Sequence, residues 1–297
     1  MINMNTPIAE KEGLSIIIPV YNEERAIRRT LIDLQETLDH SGIQPYEILV
    51  INDSSCDHTD QEIQAANIPC RIITHKSNKG YGASIKTGLR HACYNTIAIT
   101  DADGTYPNQK IPDLYAHYRQ QQLNMVVGAR TGKNVTYPFI KKIPKFFILA
   151  LANYIAGTKI PDINSGLRIF DKPIALKFFN LYPDGFSFTI TITMSMLCRG
   201  YDVDYMAIDY FTRTGVSKIS PIKDTLEFFS LLSKIAVFFN PMKLFMPFVG
   251  LLALISLAFM IKDVFIVHNL SQSSVLFPIL TVMIFFMSLI ADMISKK

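Results

Sequence analysis

The amino-acid sequence predicts an α/β protein followed by two membrane-spanning helices. Short β-branched runs alternate with helical patterns through residue 100, which is typical of a sheet covered by helices. Acidic and glycine-containing segments follow several of these runs. Two uncharged apolar runs lie near the C-terminus and account for the high mean hydropathy, +0.23, of this chain of 297 residues.

The first predicted strand is Leu14–Val20, an apolar run of the kind that is buried on both faces of a parallel sheet. Pro19 ends this strand, and the polar residues 21–24 lead into a helix. The apolar positions of the helix recur at helical spacing, at Ile27, Leu31, Leu34 and Leu38. These residues predict a strand-loop-helix unit.

The same pattern repeats along the next fifty residues. A strand at Pro45–Ile51 ends in the polar segment 52–59, and a strand at Arg71–Thr74 is followed by the loop Asn78–Ala83 and a helix at Ser84–Cys93. Open α/β sheets bind ligands at the carboxyl ends of their strands. Glycines in the loop let backbone approach a ligand, and the helix N-terminus favours an anion. No G-x-G-x-x-G or Walker pattern is present, so neither a dinucleotide-binding fold nor a P-loop is predicted.

The strand Ile97–Thr100 runs directly into two carboxylates, Asp101 and Asp103, and Gly104 and Pro107 then end it. If the backbone turns at Gly104, both carboxylates point at one place. That arrangement suits a hard divalent cation that also holds a diphosphate. The alternative is a polar Asx turn at the end of a strand.

Beyond residue 120 the strand-helix alternation becomes less regular. Met125–Arg130 is a predicted strand with a cation at its end, and Phe186–Cys198 and Tyr201–Tyr210 are a predicted helix and strand. The segment Ile140–Ile155 joins lysines to an apolar run too short to span a bilayer. It is either a helix in the membrane surface or an ordinary packed helix with a basic end.

Two cations and a hydroxyl lie close together at Arg213, Ser217 and Lys218. An arginine fork and a lysine point charge suit phosphate recognition. The alternative is a solvated loop.

The C-terminal part carries the membrane signal. Thr225–Phe239 is amphipathic, and the uncharged runs Leu244–Ile261 and Val275–Ala291 contain 18 and 17 residues. Lysines flank the pair at 218, 223, 234, 243, 296 and 297, whereas only Lys262 lies between the two runs. The positive-inside rule therefore predicts a multi-pass cell-membrane hairpin with both termini in the cytoplasm, and a pair of buried core helices is the alternative.

Charge and cysteine content exclude several classes. A net charge of +4 is too small to indicate a nucleic-acid-binding protein. The four cysteines lack metal-site spacing and predict no disulfide framework. Met1–Gly13 has no apolar core and is not predicted to be a signal peptide.

Six ordered motifs together resemble family 2 glycosyltransferases, and most closely the polyprenyl-phosphate, dolichol-phosphate mannose synthase-like subgroup. They are P-V-Y-N-E-E at 19–24, N-D-S-S-C-D-H-T at 52–59, N-K-G-Y-G-A at 78–83, D-A-D-G at 101–104, S-G-L-R at 165–168 and R-T-G-V-S-K at 213–218. The resemblance implies a GT-A type, Rossmann-like nucleotide-sugar-binding domain over residues 1–220. An amphipathic juxtamembrane helix at 221–243 and a transmembrane hairpin at 244–297 complete the predicted domain organisation.

The resemblance also implies roles for individual residues. The base and ribose are expected against Pro19, Tyr21, Glu23, Ile51 and Asp53, and further substrate contacts at Asn22, Lys79, Gly80, Ala102 and Arg168. Asp101 and Asp103 are expected to hold Mg²⁺ or Mn²⁺, with Thr105 in the position of a third ligand. Phosphates are expected at Arg130, Arg213, Ser217 and Lys218.

The sequence departs from the family pattern at four places. Asn52 replaces the first Asp of a common D-D pair, and Thr105 replaces a Gln that serves as a metal ligand in dolichol-phosphate mannose synthases. The run at 185–191 has Thr where some relatives have Glu. The chain contains no Trp, so the Q-x-x-R-W signature of processive synthases is absent and a chain-extending synthase is disfavoured.

The predicted reaction is inverting, metal-dependent transfer of a hexose from a UDP- or GDP-sugar to undecaprenyl or dolichyl phosphate. A phosphate monoester with a second pKa near ~6 is already largely dianionic, so no general base is needed. Asp103 is the predicted principal metal ligand, and Arg213 and Lys218 are predicted on the acceptor phosphate. Transfer to a neutral lipid hydroxyl and a non-catalytic membrane scaffold are the alternatives, and the sequence is compatible with a homo-oligomer.

Overall fold

The computed structural model describes residues 12–132, 142–211 and 221–295. The chain divides into two compact units. The first contains Met1–Lys142 and Ile160–Ser220, and the second contains Ile143–Lys159 and Pro221–Lys297. The segment Ile143–Lys159, which the sequence analysis placed in the first domain, therefore groups with the C-terminal residues.

The first unit is built on a mixed sheet. Its strands are β1 Leu14–Val20, β2 Tyr46–Asn52, β3 Arg71–Thr74, β4 Thr96–Ile99, β5 Met125–Ala129, β6 Arg168–Asp171 and β7 Val203–Ala207. Across the described residues these seven strands lie in the order β3-β2-β1-β4-β6-β5-β7. The central strands are buried on both faces, as their near-continuous apolar runs predict.

One strand of the sheet runs against the others. Strands β1 to β4 pair in parallel as predicted, but β6 pairs antiparallel with both β4 and β5. The residues before β6 lie at the carboxyl end of β5, where the Ser165 hydroxyl donates to the Gly128 carbonyl at 2.5 Å. Since β6 starts at that edge, it has to run back across the sheet.

In chain order, the helices are α1 Ile27–Ser41, α2 Thr59–Ala65, α3 Tyr81–His91, α4 Ile111–Gln120, α5 Lys142–Ala156, α6 Lys172–Lys177, α7 Phe188–Cys198, α8 Pro221–Phe239, α9 Pro241–Lys262 and α10 Gln272–Ser295. The predicted apolar face of α1 is confirmed, because Ile27, Leu31, Leu34 and Leu38 are fully buried. Helix α7 has no polar face, and its residues 188–196 are all buried.

Two helices of the second unit are long and apolar enough to cross a membrane. The apolar spans are Pro241–Ile266 and Gln272–Ser295, with mean hydropathies of 2.5 and 2.4. Only 11% of each apolar window is buried inside the protein, which separates these helices from the core helices of a soluble domain. The two predicted apolar helices are confirmed, and each span, of 26 and 24 residues, is longer than the uncharged run that predicted it.

The predicted amphipathic segment forms helix α8. The apolar face of α8 includes Leu232, Ile235, Ala236 and Phe239, and these four side chains are buried rather than exposed. Val237 and Phe238 are the exposed apolar residues near the end of this helix. In the C-terminal half of α8, these four apolar residues therefore pack within the protein.

Polar groups cap two helix ends in the second unit. The carbonyl of Ile155, in the last turn of α5, accepts hydrogen bonds from Asn240 Nδ2 at 3.2 Å and Lys243 Nζ at 3.1 Å. Asp263 accepts from the Ser271 N–H at 2.5 Å and from the Ser274 hydroxyl at the start of α10. Both contacts satisfy backbone groups that a helix end leaves unpaired.

Candidate active site

A cleft of about 370 Å³ opens at the carboxyl ends of β1, β2 and β4. This is the edge at which open α/β sheets bind ligands. The walls come from the segments after these strands, the start of α3 and the residues around Asn164 and Phe186. The predicted site residues that line the cleft are Pro19, Tyr21, Glu23, Gly80, Asp53, Asp101, Ala102, Asp103 and Arg130.

Hydrogen bonds tie the loop after β1 to the loop after β2. The N–H of Asn22 donates to Ser55 Oγ at 3.0 Å, and Asn22 Oδ1 accepts from the Cys56 N–H at 2.9 Å. The N–H of Glu23 donates to Thr59 Oγ1 at 2.9 Å. Asn22, for which substrate contact was predicted, has a φ of 56° and uses its side chain to hold the two loops together.

Asp53 is buried and is bonded to three protein donors. Its Oδ1 accepts from the Lys79 N–H at 2.9 Å and from His75 Nδ1 at 2.7 Å, while Oδ2 accepts from the Gly80 N–H at 2.7 Å. His75 is itself buried, and its Nε2 lies 2.9 Å from Thr87 Oγ1. A carboxylate has about four acceptor positions, so Asp53 retains one for a ligand in the cleft.

The surroundings of Asn52 account for the amide at this position, where the family pattern commonly has Asp. This fully buried side chain accepts from the N–H and hydroxyl of Ser55 at 2.9 and 2.7 Å. Its amide nitrogen donates to Asp60 Oδ1 at 2.5 Å. An aspartate at this position would place a second carboxylate against Asp60, so the amide suits its surroundings.

Gly80, which lines the cleft, and Gly82, in the first turn of α3, also lie against the chain's own backbone. A Cβ on Gly80 would lie 2.6 Å from the Asp184 carbonyl oxygen, and one on Gly82 would lie 2.9 Å from the Gly185 carbonyl oxygen. The Ala83 N–H at the start of α3 donates to the Asp184 carbonyl at 3.0 Å. The backbone that approaches these glycines is the chain's own segment 183–185.

Asp101 and Asp103 reach the same cleft from the turn after β4. Gly104 adopts a φ of 71° in this turn, and the Thr30 hydroxyl of α1 donates to the Ala102 carbonyl at 3.1 Å. Thr105, the predicted third metal ligand, is fully buried and donates its hydroxyl to Asp103 Oδ1 at 2.6 Å. In this structure Thr105 therefore orients the Asp103 carboxylate.

Tyr81 and Gly166 position the other carboxylate. The Tyr81 hydroxyl donates to Asp101 Oδ1 at 3.1 Å, and a Cβ on Gly166 would lie 2.9 Å from both Asp101 oxygens. Burial, together with the neighbouring Asp101 charge, raises the pKa of Tyr81 well above its ordinary value. Tyr81 is therefore a protonated hydrogen-bond donor.

Arg130 lies in the cleft wall and is paired with a buried carboxylate. Its Nε and Nη2 donate to the two oxygens of Asp162 at 2.7 and 2.9 Å, and the guanidinium carbon lies 5.1 Å from the centre of the Tyr210 ring. A bidentate pair of this kind fixes the direction of the guanidinium. The predicted contact of Arg130 with phosphate stays a prediction.

Arg168 is completely buried and does not line the cleft. Its Nη1 donates to the Thr189 carbonyl at 3.1 Å and the Thr193 hydroxyl at 3.0 Å, and its Nη2 donates to the Ser165 carbonyl. Burial lowers the pKa of the guanidinium from its ordinary value. The predicted substrate contact is thus replaced by support of two cleft segments, 164–166 and the start of α7.

The remaining predicted residues are not brought into the cleft or cannot be placed. Ile51 is buried inside β2, and Lys79 has an exposed side chain and contacts Asp53 only through its backbone N–H. Arg213, Ser217 and Lys218 lie outside the described residues.

Several cleft residues were not predicted. Besides Tyr81, they include Tyr106, Asn164, Gly166, Phe186, Thr189 and Tyr210. Tyr81, Gly166, Phe186 and Thr189 lie in the segments 78–83, 165–168 and 185–191, whose motifs are the local sequence signal for them. Tyr106 and Tyr210 pack edge to face at 5.3 Å, and nothing local in the sequence marks that contact.

The donor set at Asp101 and Asp103 fits a hard divalent cation. Within residues 12–132, 142–211 and 221–295, no cluster of three or more His, Cys, Asp or Glu side chains forms a metal site. Mg²⁺ is commonly held by one or two carboxylates together with waters and substrate phosphates. A side chain at position 166 would press against the Asp101 carboxylate, so glycine there leaves that carboxylate accessible within the cleft.

Comparison with sequence families gives two matches. The glycosyl transferase family 2 profile matches residues 15–179, and the GtrB C-terminal hairpin profile matches residues 240–296. The first match covers more than half of the chain. The second covers the two apolar spans and supports a membrane protein.

The alignments with two curated relatives cover most of the length of each relative. A dolichyl-phosphate hexose transferase of Haloferax volcanii is 25% identical over 211 residues, covering 71% of this chain and 88% of the relative. An undecaprenyl-phosphate mannosyltransferase of Micrococcus luteus is 27% identical over 216 residues, covering 69% and 86%.

A solved structure gives the fold. Glucosyl-3-phosphoglycerate synthase from Mycobacterium tuberculosis, solved with Mn²⁺, UDP and phosphoglyceric acid, superposes with a TM-score of 0.58 at 13% identity. The match covers 76% of this chain and 78% of that one. It confirms the predicted GT-A type fold.

Proposed function

Because the chain belongs to glycosyl transferase family 2 and is a glycosyltransferase, we propose that it transfers a hexose from a nucleotide diphosphate sugar to a polyprenyl phosphate. One observation carries this proposal. The chain joins a GT-A cleft containing Asp101 and Asp103 to two apolar helices long enough to span a membrane. A lipid-linked acceptor accounts for both features in one protein.

The nucleotide diphosphate of the donor binds along the wall formed by Pro19, Tyr21, Glu23 and Asp53. Asp53 retains one acceptor position there, which suits a donor group on a base or ribose. The diphosphate then extends toward Asp101 and Asp103. The UDP-bound structure of the Mycobacterium relative supports a nucleotide in this fold.

Asp101 and Asp103 are the residues that hold Mg²⁺ or Mn²⁺ against the diphosphate. Such an ion, when bound, supplies the Lewis acid that offsets charge on the leaving group. Thr105 keeps Asp103 oriented, and Tyr81 does the same for Asp101.

The acceptor phosphate needs alignment rather than deprotonation. One of its ionised oxygens attacks the anomeric carbon in line, the bond from that carbon to the diphosphate oxygen breaks, and the nucleoside diphosphate leaves with inversion. No proton has to be removed, since the acceptor is largely dianionic above a second pKa near ~6. Arg130, Arg213 and Lys218 are the cations proposed to face the phosphates.

We propose that this reaction takes place at the cytosolic face of the membrane. Lys234 precedes the first span, Lys243 lies in its first turn, and Lys296 and Lys297 follow the second span. By the positive-inside rule we propose that the catalytic unit and both termini are cytoplasmic. The acceptor headgroup is then presented to the cleft from the same side as the nucleotide sugar.

The proposal is tested with the full chain in detergent or nanodiscs. Each reaction contains one radiolabelled UDP- or GDP-sugar and one acceptor, which is undecaprenyl phosphate, dolichyl phosphate or the corresponding neutral polyprenol. Each reaction is run with and without Mn²⁺. We expect organic-soluble label only with a phosphate acceptor and a divalent ion.

The same assay separates the two alternatives. Equal transfer to the neutral polyprenol would establish a lipid-hydroxyl acceptor instead. The absence of transfer with every donor, combined with full function of Asp103→Asn in cells, would establish a non-catalytic scaffold.

A further inference from the structure

Phe186 is unusual among the apolar side chains of the first unit. It is 62% exposed, more than the other large exposed apolar residues in the described part of this unit, which are Ile72, Leu176 and Phe211. It lies in the wall of the cleft rather than on an outer surface. A large ring left exposed inside a binding cleft indicates a contact with a ligand.

The ring is coupled to the carboxylate that is proposed to hold the diphosphate. Phe186 stacks on Tyr81 with 5.7 Å between ring centres and 20° between ring planes. The Tyr81 hydroxyl in turn donates to Asp101 Oδ1 at 3.1 Å. The aromatic pair is therefore next to the position of the β-phosphate in the proposed complex.

The segment that carries Phe186 is firmly attached to α3. The Ala83 N–H donates to the Asp184 carbonyl at 3.0 Å, and Lys86 pairs with the Asp184 carboxylate. Lys86 Nζ also donates to the Tyr182 carbonyl at 3.2 Å. With Gly80 and Gly82 allowing this close contact, the ring is positioned before any ligand binds.

We propose that Phe186 and Tyr81 form an aromatic platform that binds the apolar C–H face of the donor hexose. The proposal rests on the proposed function, because the hexose is the part of the donor attached to the diphosphate at Asp101. An anionic phosphate is disfavoured against the negative face of an aromatic ring, whereas a sugar ring presents C–H groups to it. Asn164 and Thr189, in the same cleft, supply polar groups for the sugar hydroxyls.

Isothermal titration calorimetry on the full chain in detergent with Mn²⁺ tests the platform. The probes are UDP, GDP, UDP-glucose and GDP-mannose. For whichever nucleotide sugar binds, we expect Phe186→Ala to weaken its affinity by about 5- to 20-fold and to leave the matching free nucleoside diphosphate within about twofold. Phe186→Tyr keeps the platform and should bind the nucleotide sugar as wild type does.

Leu176→Ala is the matched control, since Leu176 is 41% exposed in the same unit and does not line the cleft. Thermal unfolding of each variant checks that the unit remains folded. Three results would overturn the platform but not the proposed function. They are an equal loss of affinity for the nucleotide sugar and the free nucleoside diphosphate, no loss for either, and an effect confined to the KM of the lipid acceptor. If wild type binds the free diphosphates but no nucleotide sugar, the proposed function falls as well.

Discussion

The turn after β2 and the turn after β4 lie at the same edge of the sheet, and each carries aspartates predicted to bind the donor. In the first turn, Asp53 accepts hydrogen bonds from Lys79, Gly80 and His75 and holds together three segments of the chain. In the second turn, Asp103 is oriented by its neighbour Thr105. Asp53 is therefore bonded to distant segments of the chain, whereas the bonds described for Asp103 come from its own turn.

An aspartate at the end of a strand can therefore serve mainly to stabilise the fold or mainly to bind a ligand, and its position alone does not show which. Removing the Asp53 carboxylate leaves two part-buried N–H groups and the buried His75 Nδ1 without this acceptor, which costs folding free energy. The change Asp103→Asn removes the charge from the cleft but keeps an oxygen that can accept from the Thr105 N–H and hydroxyl. We therefore expect different profiles, with the larger loss of stability when the Asp53 carboxylate is removed and the larger loss of activity when the Asp103 charge is removed.

The largest expected effect is that of Asp103→Asn on catalysis. Loss of a carboxylate from the proposed metal site should lower kcat by about 10³-fold or more, because a bound ion contributes several kcal/mol to the transition state. The melting temperature should change little. Transfer assays and Mn²⁺ calorimetry on the same preparation measure both quantities.

Asp113→Asn is the control for that variant, since it makes the same chemical change on the exposed part of α4, where Asp113 pairs with Lys110 at 2.8 Å. It should retain full activity. If Asp103→Asn binds Mn²⁺ and turns over normally, Asp103 is not a metal ligand and its proposed role in activity is wrong.

The next largest effect is that of Asp53→Ala on stability. Three buried or part-buried donors lose their acceptor, and we expect a loss of about 3 kcal/mol in the free energy of unfolding of the first unit. For a unit of this size that is roughly 6–12 °C in melting temperature. Differential scanning fluorimetry measures the shift, and an unchanged melting temperature accompanied by lost nucleotide binding would make Asp53 a binding residue only.

A smaller effect is expected at the neighbouring position. Asn52→Asp places a buried carboxylate against Asp60 in place of a hydrogen bond of 2.5 Å, and should destabilise by about 1–2 kcal/mol. Adding Asp60→Asn restores a donor and an acceptor and should recover most of that loss. If the double variant is as unstable as the single one, the contact with Asp60 is not what requires an amide at position 52.

Local sequence patterns were enough for much of this protein. The spans, the first four strands and the apolar face of α1 depend on hydropathy within short windows, and those predictions agree with the structure. Strand β6 was missed because R-I-F-D is four residues long and begins with a buried arginine. Its antiparallel direction depends on where the chain turns, which no local pattern records.

The site was predictable in its residue types but less so in their partners. Asp101 and Asp103 follow a strand and lie in the cleft, as their motif indicated. Gly80 and Gly82 lie against the backbone of residues 183–185, about one hundred positions further along the chain. No local sequence pattern could show this contact. Arg168 likewise received a substrate role from its motif, whereas its partners are on α7 and at Ser165.

The smallest expected effect is that of Tyr81→Phe, which keeps the ring against Phe186 and removes only the hydrogen bond to Asp101. Losing one hydrogen bond to a charged group should lower kcat/KM by about 5- to 10-fold. Burial raises the pKa of Tyr81 well above its ordinary value, so the hydroxyl stays protonated below its unfolded pKa of about 10. Wild type and variant should therefore show the same shape of pH profile between about pH 6 and about pH 9, and an alkaline limb that only the wild type shows in this window would mean that Tyr81 ionises during turnover.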